Sequence, residues 1–402
     1  MADKSKKKHS KRAPQKQEQT AKPVRFRQEN PPEERMSRRD RTHVIIGLVA
    51  MAVLLAAAVV LWLMRDSLSV PSLSVTAPNA PTADAEYLFD TSSGQCFASA
   101  GRGLAVATSS SLELLDENGH VAASRLMQME TPAIAACSSY AVFYDIGGLN
   151  IAAAFFDGTV RELTPAGSVF SATVSENGYL AVTTECAGYR GLVTVYDPTL
   201  EPVYEWYSSS AWIISAEVSP DSQSLAVLSY TSAGSEVRLF DMSKTEQQAA
   251  FSVSDTILLD THWFSPSRLC AYSADQALFF GSDGVWAGTY DYEGQFLIDC
   301  AFGDGYAVFA LSPYRAGTVA TLVSCDPSGS VLGTADIQSE LVSLAAAGTE
   351  VLALCPDSAL LYSSSLTQKG ILTGLSGFKY GLIRSRGEAL LVSSGFAEVH
   401  TF

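Results

Sequence analysis

From about residue 86 to residue 402, the chain alternates short apolar runs with polar turns, and no long amphipathic helical pattern appears. The runs consist of Val, Leu, Ala, Tyr and Phe, whereas the turns contain Gly, Asn, Asp, Ser and Pro. Segments such as Glu117-Asn118-Gly119 and Ser219-Pro220-Asp221 indicate chain reversals, because Gly and Asn tolerate positive φ and Pro presets φ near about −65°. The pattern predicts an all-β domain over residues 86–402.

The apolar runs repeat with a regular period. Residues Gly178–Val182 lead through a Gly-containing loop to Val193–Asp197, and Ser224–Val227 lead in the same way to Glu236–Asp241. The middle residue of the first run in each unit recurs every 36–45 residues, at Ala105, Ala141, Ala181, Ala226, Cys270, Ala307, Leu352 and Leu390. A period of about 40–45 residues with four short strands is typical of a β-propeller blade. We therefore predict a β-propeller of eight four-stranded blades, with seven blades as the alternative.

The two ends of the predicted propeller suggest how it closes. The last unit, from about Ser376 to Phe402, has length for only three strands, whereas Glu86–Asp90 precedes the first full blade and has no partner. Sheets avoid exposed edges. We predict that residues 86–90 supply the fourth strand of the last blade.

An uncharged apolar run of 21 residues, Val44–Met64, follows a basic amino-terminal tail. At about 1.5 Å per residue it spans roughly 31 Å, the thickness of a bilayer's hydrocarbon core. A cleaved signal peptide would have an apolar region of only about 7–15 residues. We predict a transmembrane signal-anchor helix at 43–65 that contacts membrane lipids.

Basic and acidic residues are distributed unequally on the two sides of this predicted helix. Residues 1–65 carry 15 basic and six acidic side chains, whereas residues 66–402 carry 12 basic and 36 acidic ones, a net charge of −24. Basic flanks stay in the cytoplasm, so we predict a disordered cytoplasmic tail at 1–42, a Pro/Ser-rich stalk at 66–85 and an extracytoplasmic propeller at 86–402. So acidic a domain argues against nucleic acid as a partner.

Two stretches resemble WD40-like propeller proteins: ENGYLAVTTECAGYRGLVTVYD at 176–197 and VYEWYSSSAWIISAEVSPDSQSLAVLSY at 203–230. With its tail, anchor and stalk, the whole chain resembles an uncharacterised family of single-pass, membrane-anchored β-propellers of Gram-positive anaerobic bacteria. The resemblance implies a fold and a location at the cell membrane, and it supplies no catalytic residues. The chain lacks the Trp-Asp dipeptide of true WD40 repeats, so their partners are not carried over.

The sequence contains no recognisable catalytic, cofactor-binding or metal-binding motif. The three histidines of the outer part, His120, His262 and His400, are far apart, and none has metal-ligand spacing. The seven cysteines form no CxxC pair, so we interpret them as small core residues, with one disulfide between neighbouring strands as an alternative. A calcium site is a second open alternative, formed from the carboxylates Asp241, Asp255, Asp260, Asp283 and Asp291.

The densest aromatic group consists of Tyr204, Trp206, Tyr207 and Trp212. Tyr204 and Trp206 flank Glu205, so both face the same side of a strand. These four residues are our candidate partner-binding cluster, and packing between blades is the competing interpretation.

Together these features favour a non-enzymatic protein-binding or scaffold module of the cell envelope, with an envelope protein as partner. The alternatives are a propeller enzyme that acts on cell-wall carbohydrate, and a ligand sensor. Propellers serve many functions, so the fold does not choose among these.

Overall fold

The computed structural model describes residues 86–244 and 246–402, which form 32 strands, β1 to β32. The strands make eight four-stranded antiparallel sheets. These sheets are the blades of a propeller, and the predicted number of eight is confirmed.

The blades follow one another along the chain as simple meanders. Blade 1 consists of β2 (Cys96–Ala100), β3 (Gly103–Ala107), β4 (Ser111–Leu115) and β5 (Val121–Leu126). Blade 2 consists of β6 (Pro132–Ala136), β7 (Tyr140–Asp145), β8 (Ile151–Phe155) and β9 (Val160–Glu162). Blade 3 consists of β10 (Val169–Val174), β11 (Leu180–Thr184), β12 (Gly191–Tyr196) and β13 (Pro202–Ser208). Blade 4 consists of β14 (Trp212–Val218), β15 (Ser224–Thr231), β16 (Gly234–Asp241) and β17 (Gln247–Ser254).

The second half of the ring has the same construction, except at its end. Blade 5 consists of β18 (Leu258–Ser265), β19 (Arg268–Ser273), β20 (Gln276–Gly281) and β21 (Trp286–Asp291). Blade 6 consists of β22 (Phe296–Gly303), β23 (Tyr306–Ser312), β24 (Val319–Cys325) and β25 (Val331–Glu340). Blade 7 consists of β26 (Ser343–Ala347), β27 (Glu350–Leu354), β28 (Ser358–Ser363) and β29 (Gln368–Thr373). Blade 8 consists of β30 (Tyr380–Ser385), β31 (Glu388–Val392), β32 (Phe396–Thr401) and β1 (Glu86–Leu88).

The first strand of each blade is the innermost one. Each innermost strand contacts that of the next blade, and β2 contacts β30, so the ring is closed around a central opening. All eight residues used as repeat anchors lie on the second strand of their blade and are buried. The period of the sequence therefore follows the blades.

The two faces of the ring carry different connections: the first and third turns of each blade lie on one face, and the second turn and the link to the next blade lie on the other. Four antiparallel strands bring the chain back to the side where it started, so all innermost strands run in the same direction. The Thr173 hydroxyl, near the end of β10, accordingly donates to the Ala216 carbonyl near the end of β14 (2.6 Å). We call the side where the innermost strands begin the upper face, and the opposite side the lower face.

Apolar side chains from adjacent blades pack into separate cores between the blades. Buried tyrosines add polar contacts across three of these boundaries, including the boundary between blades 8 and 1 that is described below. The Tyr140 hydroxyl of blade 2 donates to the Gly178 carbonyl of blade 3 (2.9 Å), and the Tyr306 hydroxyl of blade 6 donates to the Glu350 carbonyl of blade 7 (2.7 Å).

The ring closes as predicted, because β1 pairs antiparallel with β32 and completes blade 8. Tyr87, in the middle of β1, is fully buried and its hydroxyl donates to the Glu117 carbonyl of blade 1 (2.9 Å). An Nη of Arg384 on β30 donates to the same carbonyl (2.6 Å). The first and last parts of the described chain are thus joined to each other and to blade 1.

The predicted tail (1–42), transmembrane helix (43–65) and stalk (66–85) lie outside the described residues. Within the ranges that the structure describes, no helix combines the length and the apolar character that crossing a membrane requires.

The closure can be tested with variants of Tyr87. Tyr87→Ala should lower the free energy of unfolding by about 3–5 kcal/mol, because a large buried side chain is removed, and Tyr87→Phe by about 1 kcal/mol, because one hydrogen bond is lost. Leu88→Ala is the control, since Leu88 is exposed on the same strand, and it should cost about 0.5 kcal/mol or less. Denaturant unfolding measures all three.

Deletion of residues 86–90 should sharply lower the melting temperature, and an unchanged value would contradict closure by β1.

Candidate functional site: an apolar rim at the upper face

The innermost strands of blades 3 to 6 share an irregularity near their starts. In each, one residue has no partner on the second strand, which is the mark of a β-bulge. The extra residues are Phe170, Ile214, Leu259 and Ile298. A large apolar side chain therefore occupies the same place in four consecutive blades.

A short polar side chain follows every bulge: Ser171, Ser215, Asp260 and Asp299. Asp260 accepts from the Ser215 hydroxyl of the previous blade (2.6 Å) and from the Thr261 N–H (2.9 Å). Asp299 accepts from the Cys300 N–H (2.8 Å) and from the Leu344 N–H of blade 7 (3.1 Å). These bonds satisfy backbone groups near the bulges and join adjacent blades.

Apolar side chains gather on the upper face where the bulged strands begin. We define the apolar rim as Ile146, Phe170, Trp212, Ile214, Ile257, Leu259 and Phe296. Trp212 is 53% exposed, Ile257 66% and Leu259 46%. The first four members, together with Ile213, line a shallow hollow of about 340 Å³. Exposed apolar side chains that cluster in this way mark interaction surfaces.

The rim arises from a repeated run of apolar residues that our sequence analysis did not single out. The run is Trp-Ile-Ile-Ser at 212–215, Ile-Leu-Leu-Asp at 257–260 and Phe-Leu-Ile-Asp at 296–299. Its second residue enters the core, as Ile213 and Leu258 show, whereas the first is exposed. Three consecutive apolar residues at the start of an innermost strand are the sequence feature from which the rim could have been predicted.

The structure divides the predicted aromatic cluster into two pairs. Tyr204 and Trp206 on β13 are half-buried and lie against Phe240 of blade 4, with ring centroids 6.3 and 5.0 Å apart, respectively. The Arg238 guanidinium lies 5.4 Å from the Trp206 ring. This pair packs between blades 3 and 4.

Tyr207 and Trp212, in contrast, are exposed at the upper face. The Tyr207 ring lies 4.9 Å from that of Tyr189, and the Arg190 guanidinium lies 4.6 Å from the ring of Trp212. Of the four predicted residues, Trp212 alone belongs to the apolar rim, and Tyr207 lies on the same face towards the outside of blade 3.

Below the rim, acidic side chains and one histidine connect blades 4, 5 and 6. A carboxylate oxygen of Glu217 lies 3.3 Å from Nδ1 of His262, and the other accepts from the Trp263 N–H (3.2 Å). The His262 ring is stacked on Phe302 of blade 6, with centroids 4.3 Å apart. Burial raises the pKa of Glu217, Asp260 and Asp299 above their ordinary values.

Many carboxylates at the lower face cap turns between the third and fourth strands of a blade. Asp197 accepts from the side chain of Thr199 (2.7 Å) and from the Glu201 N–H (3.1 Å), and these bonds lower its pKa. Hydrogen bonds from Lys244 and then Ser243 lower the pKa of Asp241 to about 2. Asp116, Asp157, Asp283 and Asp326 accept turn N–H groups in the same way.

The carboxylates considered for calcium do not converge. Asp241 and Asp283 cap turns at the lower face, Asp260 lies on an innermost strand, and Asp255 and Asp291 lie near the upper face. Across residues 86–244 and 246–402, no three His, Cys, Asp or Glu side chains are arranged to hold a metal ion.

The seven cysteines are free thiols, so the structure joins none of them in a disulfide. Burial raises the pKa of Cys300 to about 11 and that of Cys325 to about 12. Thiols with such a pKa are poor nucleophiles at neutral pH.

The fold and the rim define an eight-bladed, WD40-like β-propeller whose upper face exposes apolar side chains. Residues 82–369 match the family of unknown function DUF5711, and the chain belongs to that family. No curated protein matches the sequence.

Solved structures share the fold. BamB from Moraxella catarrhalis is 12% identical with a TM-score of 0.54, and the match covers 80% of this chain and 100% of BamB. The carboxyl-terminal WD40 domain of Sif2 is 8% identical with a TM-score of 0.57, over 79% of this chain and 99% of that domain. A eukaryotic initiation factor is 10% identical with a TM-score of 0.52, over 79% and 83% of the two chains. At these identities the likeness shows the fold alone.

The division of the aromatic cluster predicts different effects for its two tryptophans. Trp206→Ala should lower the free energy of unfolding by about 3 kcal/mol, because it opens a cavity between blades 3 and 4. Trp212→Ala should cost about 1 kcal/mol or less, since the exposed ring loses mainly its contact with Arg190. Chemical denaturation measures both, and equal losses would contradict the assignment.

Two aspartates should make stability depend on pH in opposite directions. Because the pKa of Asp299 is raised in the folded protein, this residue contributes fully to the free energy of unfolding only below the pKa of an unfolded aspartate, about 3.9. That contribution is lost as the pH rises through the pKa in the folded protein. The melting temperature of Asp299→Asn should therefore rise relative to the wild type between about pH 4 and pH 7. The lowered pKa of Asp197 has the reverse sign, so the advantage of the wild type over Asp197→Asn should shrink as the pH falls below about 4. Parallel changes in the two variants would contradict these environments.

Proposed function

We propose that this chain is a membrane-anchored, extracytoplasmic propeller that acts as a non-enzymatic protein-binding module of the cell envelope. The observation that carries the proposal is the apolar rim. Residues from five consecutive blades, 2 to 6, contribute large apolar side chains to one face of a domain that is otherwise strongly acidic; Phe170 and Ile214 are half-buried and the other five members are exposed. Binding surfaces between proteins commonly have an apolar centre that is depleted of charge and contains aromatic anchors.

The rim has the composition of such a centre. Trp212 and Phe296 supply aromatic area, and Ile257 and Leu259 supply aliphatic area beside them. The strands that hold these side chains are fixed by the bonds of Ser215, Asp260 and Asp299 to neighbouring residues. A rigid surface loses little conformational entropy when a partner binds.

The buried carboxylates support binding rather than catalysis. Glu217 and Asp299 accept N–H groups of neighbouring blades, and Asp260 accepts a hydroxyl. Because these oxygens already have structural partners, they are poorly placed to activate water on a carbohydrate.

The location rests on the sequence. The apolar run at 43–65 follows the basic tail, and the acidic propeller follows the run. In the propeller itself, β1 runs from the lower towards the upper face, and Gly119 of a lower-face turn lies beside Glu86. The first described strand therefore begins at the face opposite the rim.

A photo-crosslinking residue in place of Ile257 would test the proposal in cells that produce the full-length chain. We expect one recurrent covalent adduct with an envelope protein, identified by mass spectrometry. The matched control carries the same residue in place of Val121, which is also half-exposed but lies on outermost strand β5. The change Leu259→Asp should reduce the adduct about tenfold, because a charge enters the apolar centre. Equal adducts at both positions, or none at the rim, would contradict the proposal.

A further inference from the structure

A groove separates the outer strands of blades 2 and 3. The outermost strand of blade 2, β9, has only three residues, whereas β13 of blade 3 has seven. Blade 2 therefore leaves part of β13 uncovered, and Glu205 and Tyr207 on that strand are exposed. The groove has a volume of about 400 Å³, and none of its lining residues belongs to the apolar rim.

The floor of the groove is the face of a sheet. Three cross-strand pairs of β12 and β13 form it: Leu192 with Tyr207, Thr194 with Glu205, and Tyr196 with Pro202. β12 is hydrogen-bonded on both sides, so the floor presents no unpaired backbone edge. Leu192 and Thr194 are buried, so the floor has no deep apolar pocket either. A peptide strand would therefore find neither an edge to pair with nor a pocket for a side chain.

Two exposed tyrosines lie at the upper end of the groove. Tyr207 on β13 is 41% exposed, and Tyr189, in the turn between β11 and β12, is 48% exposed. Their ring centroids are 4.9 Å apart, and the ring planes are inclined by 50°. The face of an aromatic ring carries partial negative charge and attracts C–H groups, which are partly positive. The tyrosines thus suit a ligand that presents C–H groups on a flat face.

The polar lining requires a ligand that donates hydrogen bonds. Glu162 and Glu205 line the groove, and carboxylates only accept. Oε2 of Glu205 accepts from the Tyr207 hydroxyl (2.9 Å), so Oε1 is available to a ligand. Glu162 forms an ion pair with Arg125. Glu205 is therefore the one unpaired carboxylate among the described residues of the groove, and so little free charge favours a neutral donor over a cation.

Sugars combine the two properties that this groove selects, because a sugar ring has C–H groups on its faces and hydroxyl groups around its edge. We propose that the groove binds a neutral oligosaccharide, whose rings stack on Tyr207 and Tyr189 and whose hydroxyls donate to Glu205. The floor from Leu192 to Tyr196 extends over about 13 Å, at about 3.3 Å per residue, which leaves room for more than one sugar ring. This site is separate from the rim, so it does not depend on the proposed binding of a protein there.

Saturation-transfer NMR tests the site with the purified full-length chain, in a detergent without a sugar head group. The probes are three neutral sugars: chitotetraose, cellotetraose and maltotetraose. At least one should bind the wild type, and Tyr207→Ala should weaken that binding about tenfold, because the stacking surface is lost. Tyr207→Phe keeps the ring and should retain binding. The matched control is Trp286→Ala, which removes another exposed ring from an outermost strand, β21, and should leave binding unchanged.

Charge provides an independent measurement. Binding of a neutral sugar should not change when NaCl rises from about 20 to about 300 mM, because the ligand has no charge to screen. Glu205→Gln keeps an acceptor oxygen and should retain most of the binding. All these variants change exposed side chains, so their melting temperatures should stay close to that of the wild type.

Four results would overturn the proposal. The first is that none of the three sugars binds at millimolar concentration, and the second is that Trp286→Ala weakens binding as much as Tyr207→Ala does. The third is binding that falls severalfold with salt or is abolished by Glu205→Gln, since both indicate a cationic ligand. The fourth is binding restricted to the deacetylated, cationic form of chitotetraose.

Discussion

The pairing of β1 with β32 is the contact on which the rest of the structure depends. A blade has two faces, and each is buried only when a neighbour packs against it. Without β1, blade 8 would have three strands, and the core that Tyr87 shares with Leu104 and Leu115 of blade 1 would open. The bonds of Tyr87 and Arg384 to the Glu117 carbonyl show that closure includes a turn of blade 1 as well as the last sheet.

Closure also sets the geometry of the rim. Three of the four polar residues after the bulges bond across blade boundaries, from Ser215 to Asp260 and from the Leu344 N–H to Asp299. These distances hold only while adjacent innermost strands keep their spacing, which the closed ring enforces. One extra residue in each strand thus serves two purposes: its side chain joins or supports the apolar surface, and its polar neighbour strengthens the ring. Stability and the surface available for binding are therefore coupled at the bulges of blades 4, 5 and 6.

The sequence predicted most of the fold, because the fold depends on features with a visible period. Turn residues recur between blades, a buried residue such as Ala181 recurs on each second strand, and the missing strand of the last unit directed attention to Glu86–Asp90. The alternation of Tyr204 and Trp206 correctly placed both on one side of a strand. The rim was missed because a bulge appears in the sequence only as a short run of consecutive apolar residues, and such a run is equally typical of a fully buried strand. Trp212 was singled out only as an aromatic residue close in sequence to Trp206.

The acidity of the propeller has two separate consequences that the sequence alone cannot distinguish. At the lower face, carboxylates such as Asp197 and Asp241 accept turn N–H groups, so part of the negative charge has a structural role and carries no information about a partner. The remaining charge acts on the whole domain. An apolar surface as large as the rim favours aggregation, and a high net charge of one sign opposes it by repulsion between copies. The strongly negative body therefore opposes association between copies through exposed apolar side chains such as Trp212 and Ile257.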